Sequence, residues 1–195
     1  MNKLKSGIVL AGGKSSRMGQ DKALLDMGGK TLLEWTVHLA REVARDVLIV
    51  TDKLDRYTCA GVDIVADVYP ESGPVSGIIT GMRLAGEGWH LVTACDMPWL
   101  KKEAVEYMMH QISGDVEVIL PGSADEGEPL CALYSHHALQ QIERYFAAGR
   151  RSARGMVKDL HTLYISREEL CRVCHEPRLF RSVNEYSDWQ EYTRG

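Results

Sequence analysis

Long apolar stretches are missing from this 195-residue chain. No run approaches the ~20 residues that a membrane-crossing helix needs, and the longest, around Val47 to Val50, has the length of a strand. Lys3 and Lys5 are followed by only residues 7–11 as an apolar core, too short for a secretory signal. No membrane partner is expected, and the cytoplasm is the expected compartment. A basic excess is missing too: 23 Lys and Arg against 27 Asp and Glu give a net charge of −4. Nucleic acid is therefore not an expected partner, because following its backbone takes a basic field; a local basic pocket is still compatible with the balance. Five cysteines, Cys59, Cys95, Cys131, Cys171 and Cys174, are odd in number and scattered, which argues against a disulfide framework. Internal repeats, linkers and low-complexity segments are also lacking.

The composition that remains, 45% hydrophobic and 26% charged, is that of a soluble globular protein. The length points to one domain over residues 1–195, with a radius of gyration of roughly 16 Å. A rhythm runs along the chain: a short apolar or β-branched run, a polar loop, then a helical pattern. Strands are predicted at 7–10, 46–51, 63–66, 90–94, 116–120 and 130–134, with a short one at 180–183. Thr31 and Glu34 form a capping box that opens a helix through about Arg45, its apolar face made of Leu32, Leu33, Val37, Ala40 and Val43 or Ala44. Further helices are predicted at 74–85, 102–111, 137–148 and 152–160, and a terminal helical turn after Ser187. Strands alternating with helices imply parallel βαβ units, hence an α/β fold with a largely parallel central sheet and helices on both faces. In such sheets ligands bind beyond the carboxyl ends of the strands. That rule selects the loops after Leu10, Ala66 and Ala94.

The first of these loops reads LAGGKSSRMGQDK over residues 10–22. Gly12 and Gly13 let the backbone approach a bulky anion with its amides, while Ser15, Ser16, Arg17 and Lys22 add donors and positive charge. It is not a Walker A loop, since the required earlier glycine falls on Ile8, and no G-x-G-x-x-G can be laid over it. Asp96 ends the third loop's strand two residues before Pro98. One carboxylate at such a place suits Mg²⁺, which takes one or two carboxylates and fills its octahedron with phosphates and water.

The pattern L-A-G-G-x-S-x-R-M-G-x-D-K resembles the signature of nucleotidyltransferases with the nucleotide-diphospho-sugar transferase (Rossmann-like) fold, and most of all the molybdenum cofactor guanylyltransferases. Further segments resemble that family in the same order: SGPVSG at 72–77, ACDMP at 94–98, EPLCALY at 128–134, GRRS at 149–152 and VNE at 183–185. The last is partial, because the second asparagine of an N-x-N motif is missing. The resemblance implies transfer of GMP from GTP to the terminal phosphate of molybdopterin, with release of pyrophosphate. It implies Arg17, Lys22 and Asp96 as catalytic residues. Leu10, Ala11, Gly12, Gly13, Lys22, Thr51, Asp67 and Asp96 would bind the nucleotide, Asp96 would hold Mg²⁺, and Asn184 would touch the acceptor. Thr51-Asp52 stands where the family usually has Asn. Molybdoenzyme apoproteins or their chaperones are further expected partners. Because the attacking phosphate oxygen is already anionic, no general base is required, and none is recognisable.

Three other readings stay open: a CTP-dependent cytidylyltransferase, a non-catalytic nucleotide- or pterin-binding module, and a sugar-nucleotide pyrophosphorylase. The module is disfavoured by the presence of both Lys22 and Asp96. Two sequence features are read as incidental. CRVCH at 171–175 fits covalent haem attachment but stands in a chain without an export signal, and His136-His137 reads as a solvated pair at a helix start.

Overall fold

The computed structural model describes residues 3–12, 21–184 and 186–194. Seven strands form one sheet: β1 (Leu4–Leu10), β2 (Ala44–Thr51), β3 (Asp63–Ala66), β4 (Trp89–Ala94), β5 (Val118–Pro121), β6 (Cys131–Ser135) and β7 (Thr162–Ile165), in the order β3-β2-β1-β4-β6-β5-β7. β6 is antiparallel to both β4 and β5; the other pairings are parallel. The expected largely parallel α/β sheet is present.

The helices are α1 (Leu32–Val43), α2 (Pro74–Ala85), α3 (Lys102–His110), α4 (Leu139–Ala147), α5 (Ala153–Lys158), α6 (Arg167–Cys174) and α7 (Tyr186–Arg194). The capping box of α1 is formed as read: Glu34 N donates to Thr31 Oγ1 at 3.2 Å and Thr31 N to Glu34 Oε2 at 2.7 Å. Packing puts α2, α4 and α5 on one face, against Ile8, Val92 and Tyr134. The other face carries α1, α3 and α6, against Leu91, Ile119 and Leu133. No helix among the described residues is long and apolar enough to cross a membrane.

Three expectations need correction. α1 stops at Val43, because Ala44 is already paired with Leu4 in the β1–β2 ladder. Residues 180–183 do not form a strand: Val183 N makes one hydrogen bond, to Asp96 O at 2.8 Å, and its buried side chain packs with Leu25, Met27 and Trp99. The strand in that part of the chain is β7, followed by α6, and neither was read from the sequence. His136 is also only partly solvated, its side chain 21% exposed. It lies in a 3-10 turn before α4 with its ring edge-on to the buried His90, centroids 6.2 Å apart, while His137 is exposed.

Candidate active site

The chain leaves β1 towards β2 and β3 on one side, and β4 lies on the other. This switch in direction opens a crevice at the carboxyl ends of β1 and β4, the place where open α/β sheets hold ligands. Leu10, Ala11 and Gly12 form one lip, with Ala11 N bonded to Val50 O at 2.9 Å. Asp96 forms the other. Lys22, at the start of a short turn, reaches Asp96: its Nζ lies 2.7 Å from Asp96 Oδ2, the two side chains being 23% and 16% exposed. Such partial burial screens the pair less than a surface contact would.

The turn that carries Lys22 is fixed by its neighbour. Asp21 caps a short 3-10 turn, accepting from Ala23 N at 3.2 Å, and its other oxygen accepts from Tyr57 Oη at 2.7 Å. Tyr57 is buried, and burial first, with the hydrogen bond to Asp21 second and its charge third, pushes its phenol well above the ordinary range. It therefore remains a donor. Asp21 and Tyr57 were not found from the sequence; the available signal was Asp21 as a capping residue before Lys22-Ala23-Leu24.

A cleft of about 480 Å³ lies next to the lip of β1, at the ends of β2 and β3, lined by Thr51, Asp52, Lys53, Ala66, Asp67 and Pro70 among others. Gly12 has φ +145, and a Cβ there would come within 2.7 Å of Asp52 Oδ1. Glycine lets the β1 lip lie directly on the cleft wall. Thr51 is buried, with its hydroxyl accepting from Lys53 N at 3.0 Å, so it closes the turn. Asp67 directs its carboxylate into α2: Oδ2 accepts from Ser76 Oγ at 2.5 Å, and Oδ1 from Thr80 Oγ1 at 3.0 Å and Tyr69 N at 3.1 Å. Three internal donors use most of a carboxylate's four acceptor sites. The geometry thus makes Asp67 a clamp between β3 and the start of α2. A Cβ at Gly77 would lie 3.1 Å from Leu10 Cδ2, so α2 presses directly on the β1 lip.

Asn184 is exposed, with its backbone N–H on Asp188 Oδ2 at 3.0 Å, and follows the Val183 that bonds to Asp96 O. The structure therefore brings Leu10, Ala11, Gly12, Lys22, Asp96 and residues 183–184 to one crevice, with Thr51 and Asp67 shaping the adjoining cleft. Gly13 and Arg17 lie outside the described residues.

Glu128, in the EPLCALY segment, stands in the loop before β6 near Asp96. Burial raises its carboxyl's pKa, Asp96 adds to the rise, and Arg167 and Arg154 oppose it. Among the described residues no group of three or more His, Cys, Asp or Glu side chains could hold a metal ion. One carboxylate at a strand end fits a cation shared with substrate phosphates.

Comparison with known proteins agrees with this geometry. A molybdenum cofactor guanylyltransferase from Desulfosudis oleivorans is 30% identical over 180 residues, covering 92% of this chain and 89% of that relative. The corresponding protein from Syntrophotalea carbinolica is 30% identical over 196 residues, covering 98% and 92%. The crystal structure of molybdopterin-guanine dinucleotide biosynthesis protein A from Archaeoglobus fulgidus superposes with a TM-score of 0.79 at 26% identity, covering 97% of each chain. Since the family model also matches residues 7–163, this chain belongs to the family of the MobA-like NTP transferase domain.

Proposed function

We propose that the chain works as one nucleotidyltransferase domain in the cytoplasm, where nucleoside triphosphates are made, and transfers GMP from GTP to the terminal phosphate of molybdopterin. The observation that carries this reading is the half-buried Lys22–Asp96 pair across the switch point, in a chain with near full-length guanylyltransferase relatives. An acceptor phosphate oxygen attacks the α-phosphorus of GTP. The new P–O bond forms as the α–β bridging bond breaks, and pyrophosphate carries away the electron pair. The nucleophile is anionic at neutral pH, so the residues align groups and offset charge without taking a proton.

Lys22 supplies positive charge to the triphosphate from a turn held by Asp21 and Tyr57. Its contact with Asp96 keeps the ammonium at the crevice before substrate arrives. Gly12 lets backbone amides reach the phosphates, and Asp67 sets the start of α2 beside them. Mg²⁺, held by Asp96 and the phosphates, would supply Lewis-acid stabilisation of the charge that develops on the reacting group. Arg17 is assigned to the same charge neutralisation, and Asn184 to acceptor contact. Molybdoenzyme apoproteins or their chaperones would receive the dinucleotide product.

Guanine is the proposed base, because backbone carbonyls and the Asp52 carboxylate around the cleft are acceptors for its ring N–H and amine. A site that pairs buried polar groups rejects a base that leaves them unpaired, by a factor on the order of 10⁴ in favourable cases. The test is purified protein with molybdopterin, Mg²⁺ and each common nucleoside triphosphate, following pyrophosphate release and the dinucleotide formed. Strong preference for GTP is expected. Preference for CTP, or equal use of both, would overturn the guanylyl assignment; no transfer with any triphosphate would overturn the enzymatic one.

A further inference from the structure

The crevice has a second wall, on the side away from the nucleotide cleft. The ends of β5 and β7 and the start of β6 share the sheet edge that carries Asp96, and Ala94 N donates to Leu130 O at 2.9 Å. Two arginines meet the loop before β6 there, from opposite faces of the sheet. Arg154 on α5 donates Nε to Gly127 O at 3.2 Å, and Arg167, the first residue of α6, donates Nη2 to Glu126 O at 3.1 Å. Glu128 stands between them, its side chain 22% exposed.

Arg167 is under-used in this arrangement. Its Nη2 lies 3.6 Å from Glu128 Oε2, too far for a hydrogen bond, and its buried Nε finds no partner in the structure. A guanidinium has five donors in a planar fork, and with this side chain 38% exposed its outer donors are open to a ligand while the inner Nε is left unmatched. A phosphate monoester has the oxygens to take such a fork in paired hydrogen bonds.

The proposed reaction needs positive charge here. Bringing an acceptor phosphate against a triphosphate sets anion against anion, and Lys22 belongs to the nucleotide side. We infer that Arg167, with Arg154 on the other side of the same loop, receives the terminal phosphate of the acceptor, an inference that rests on the guanylyltransferase reading above. Glu126 O holds the guanidinium in place, and Glu128 beside it is a competing negative charge that repels the incoming phosphate.

The opposite signs expected for Arg167 and Glu128 make the test sharp. In steady-state assays varying molybdopterin and GTP separately, Arg167→Gln raises the KM for molybdopterin on the order of tenfold to a hundredfold, the usual span for a charge-assisted hydrogen bond. The KM for GTP stays unchanged, and Arg167→Lys recovers part of the loss. Glu128→Gln lowers the KM for molybdopterin. If both arms instead lose melting temperature and raise both KM values together, the two residues only pin the loop and the phosphate site is overturned. Should Arg167→Gln unfold at the assay temperature, Glu128→Gln decides alone: an unchanged or raised acceptor KM overturns the site. Turnover by the wild-type protein with an unchanged acceptor KM in Arg167→Gln sinks this site and leaves the function standing. No product from the wild-type protein sinks the function and the site together.

Discussion

At the scale of single residues, the site depends on charges held at fixed places by neutral groups. Asp96→Asn keeps an acceptor for Lys22 Nζ, now 2.7 Å away, but removes the negative charge. The expected result is a fold with nearly unchanged melting temperature and a kcat lower by on the order of 10²–10³, the usual cost of losing one preorganised electrostatic group. Near-normal turnover at limiting Mg²⁺ would take Asp96 out of the metal role. Tyr57→Phe tests the support behind Lys22. It strips Asp21 Oδ2 of its 2.7 Å donor, and that side chain is only 9% exposed. The oxygen is then left with only the Arg56 guanidinium, 3.8 Å away and too far for a hydrogen bond, and losing the donor costs about 1–3 kcal/mol. Thermal melting should fall and the KM for GTP should rise together; a lower melting point with GTP kinetics intact would separate Tyr57 from the Lys22 turn.

At the scale of elements, α6 answers the CRVCH pattern. It runs through Arg167–Cys174, with Cys174 buried in the α3–α6 face and His175 in the left-handed region that ends the helix. Burial pushes the Cys174 thiol up to about 11, so it is a packed thiol and not a nucleophile. Substituting both Cys171 and Cys174 by serine should keep transfer activity and cost about 1–3 kcal/mol of stability from a buried hydroxyl. Loss of transfer at full folding, or haem or stoichiometric zinc in the wild-type protein, would reverse this reading. The elements legible in the sequence were those with local punctuation: the capping box of α1, the Gly73-Pro74 opening of α2, and the buried strands before glycine or aspartate loops. Thr162–Ile165 carries no such mark and becomes β7 through pairing with β5. Residues 180–183 look like a strand, yet Val183 finds the backbone of Asp96 rather than a partner strand. The candidate site divides the same way. Asp96 sits just past a strand end and Lys22 closes the glycine loop, both places that the sequence marks, whereas the Asp21–Tyr57 and Asp67–Ser76 contacts, and the two arginines around Glu128, exist only once the chain has folded.

For the whole molecule, the two ends of the sheet differ in kind. The carboxyl end gathers charges that a substrate can match; the opposite end buries polar groups that are poorly matched. Ser6 Oγ, both ring nitrogens of His90 and Nδ1 of His136 are all buried without a hydrogen-bond partner, and Ser6 and His90 are directly opposite in the β1–β4 register. His90 is fully buried, and burial lowers its pKa from 6.5 to about 4. The groups around it do not reverse that: His136 and Lys5 also disfavour its charge, while the Gly86 carbonyl and Glu87 favour it. The sign follows directly. Between pH 6.5 and about 4 the unfolded chain takes a proton at this position and the folded one does not, so stability is full above 6.5 and falls as the pH drops towards 4. The span of the shift corresponds to a loss of about 3 kcal/mol when complete. Denaturant unfolding of wild type and His90→Asn at pH 7 and pH 4.5 isolates the effect, since acid losses from carboxylates elsewhere are common to both proteins. The variant should lose about 2–3 kcal/mol less than wild type on acidification, while keeping its KM for GTP, because His90 lies at the end of the sheet away from the crevice. Equal losses in the two proteins would show that the acid limit of this fold is set elsewhere.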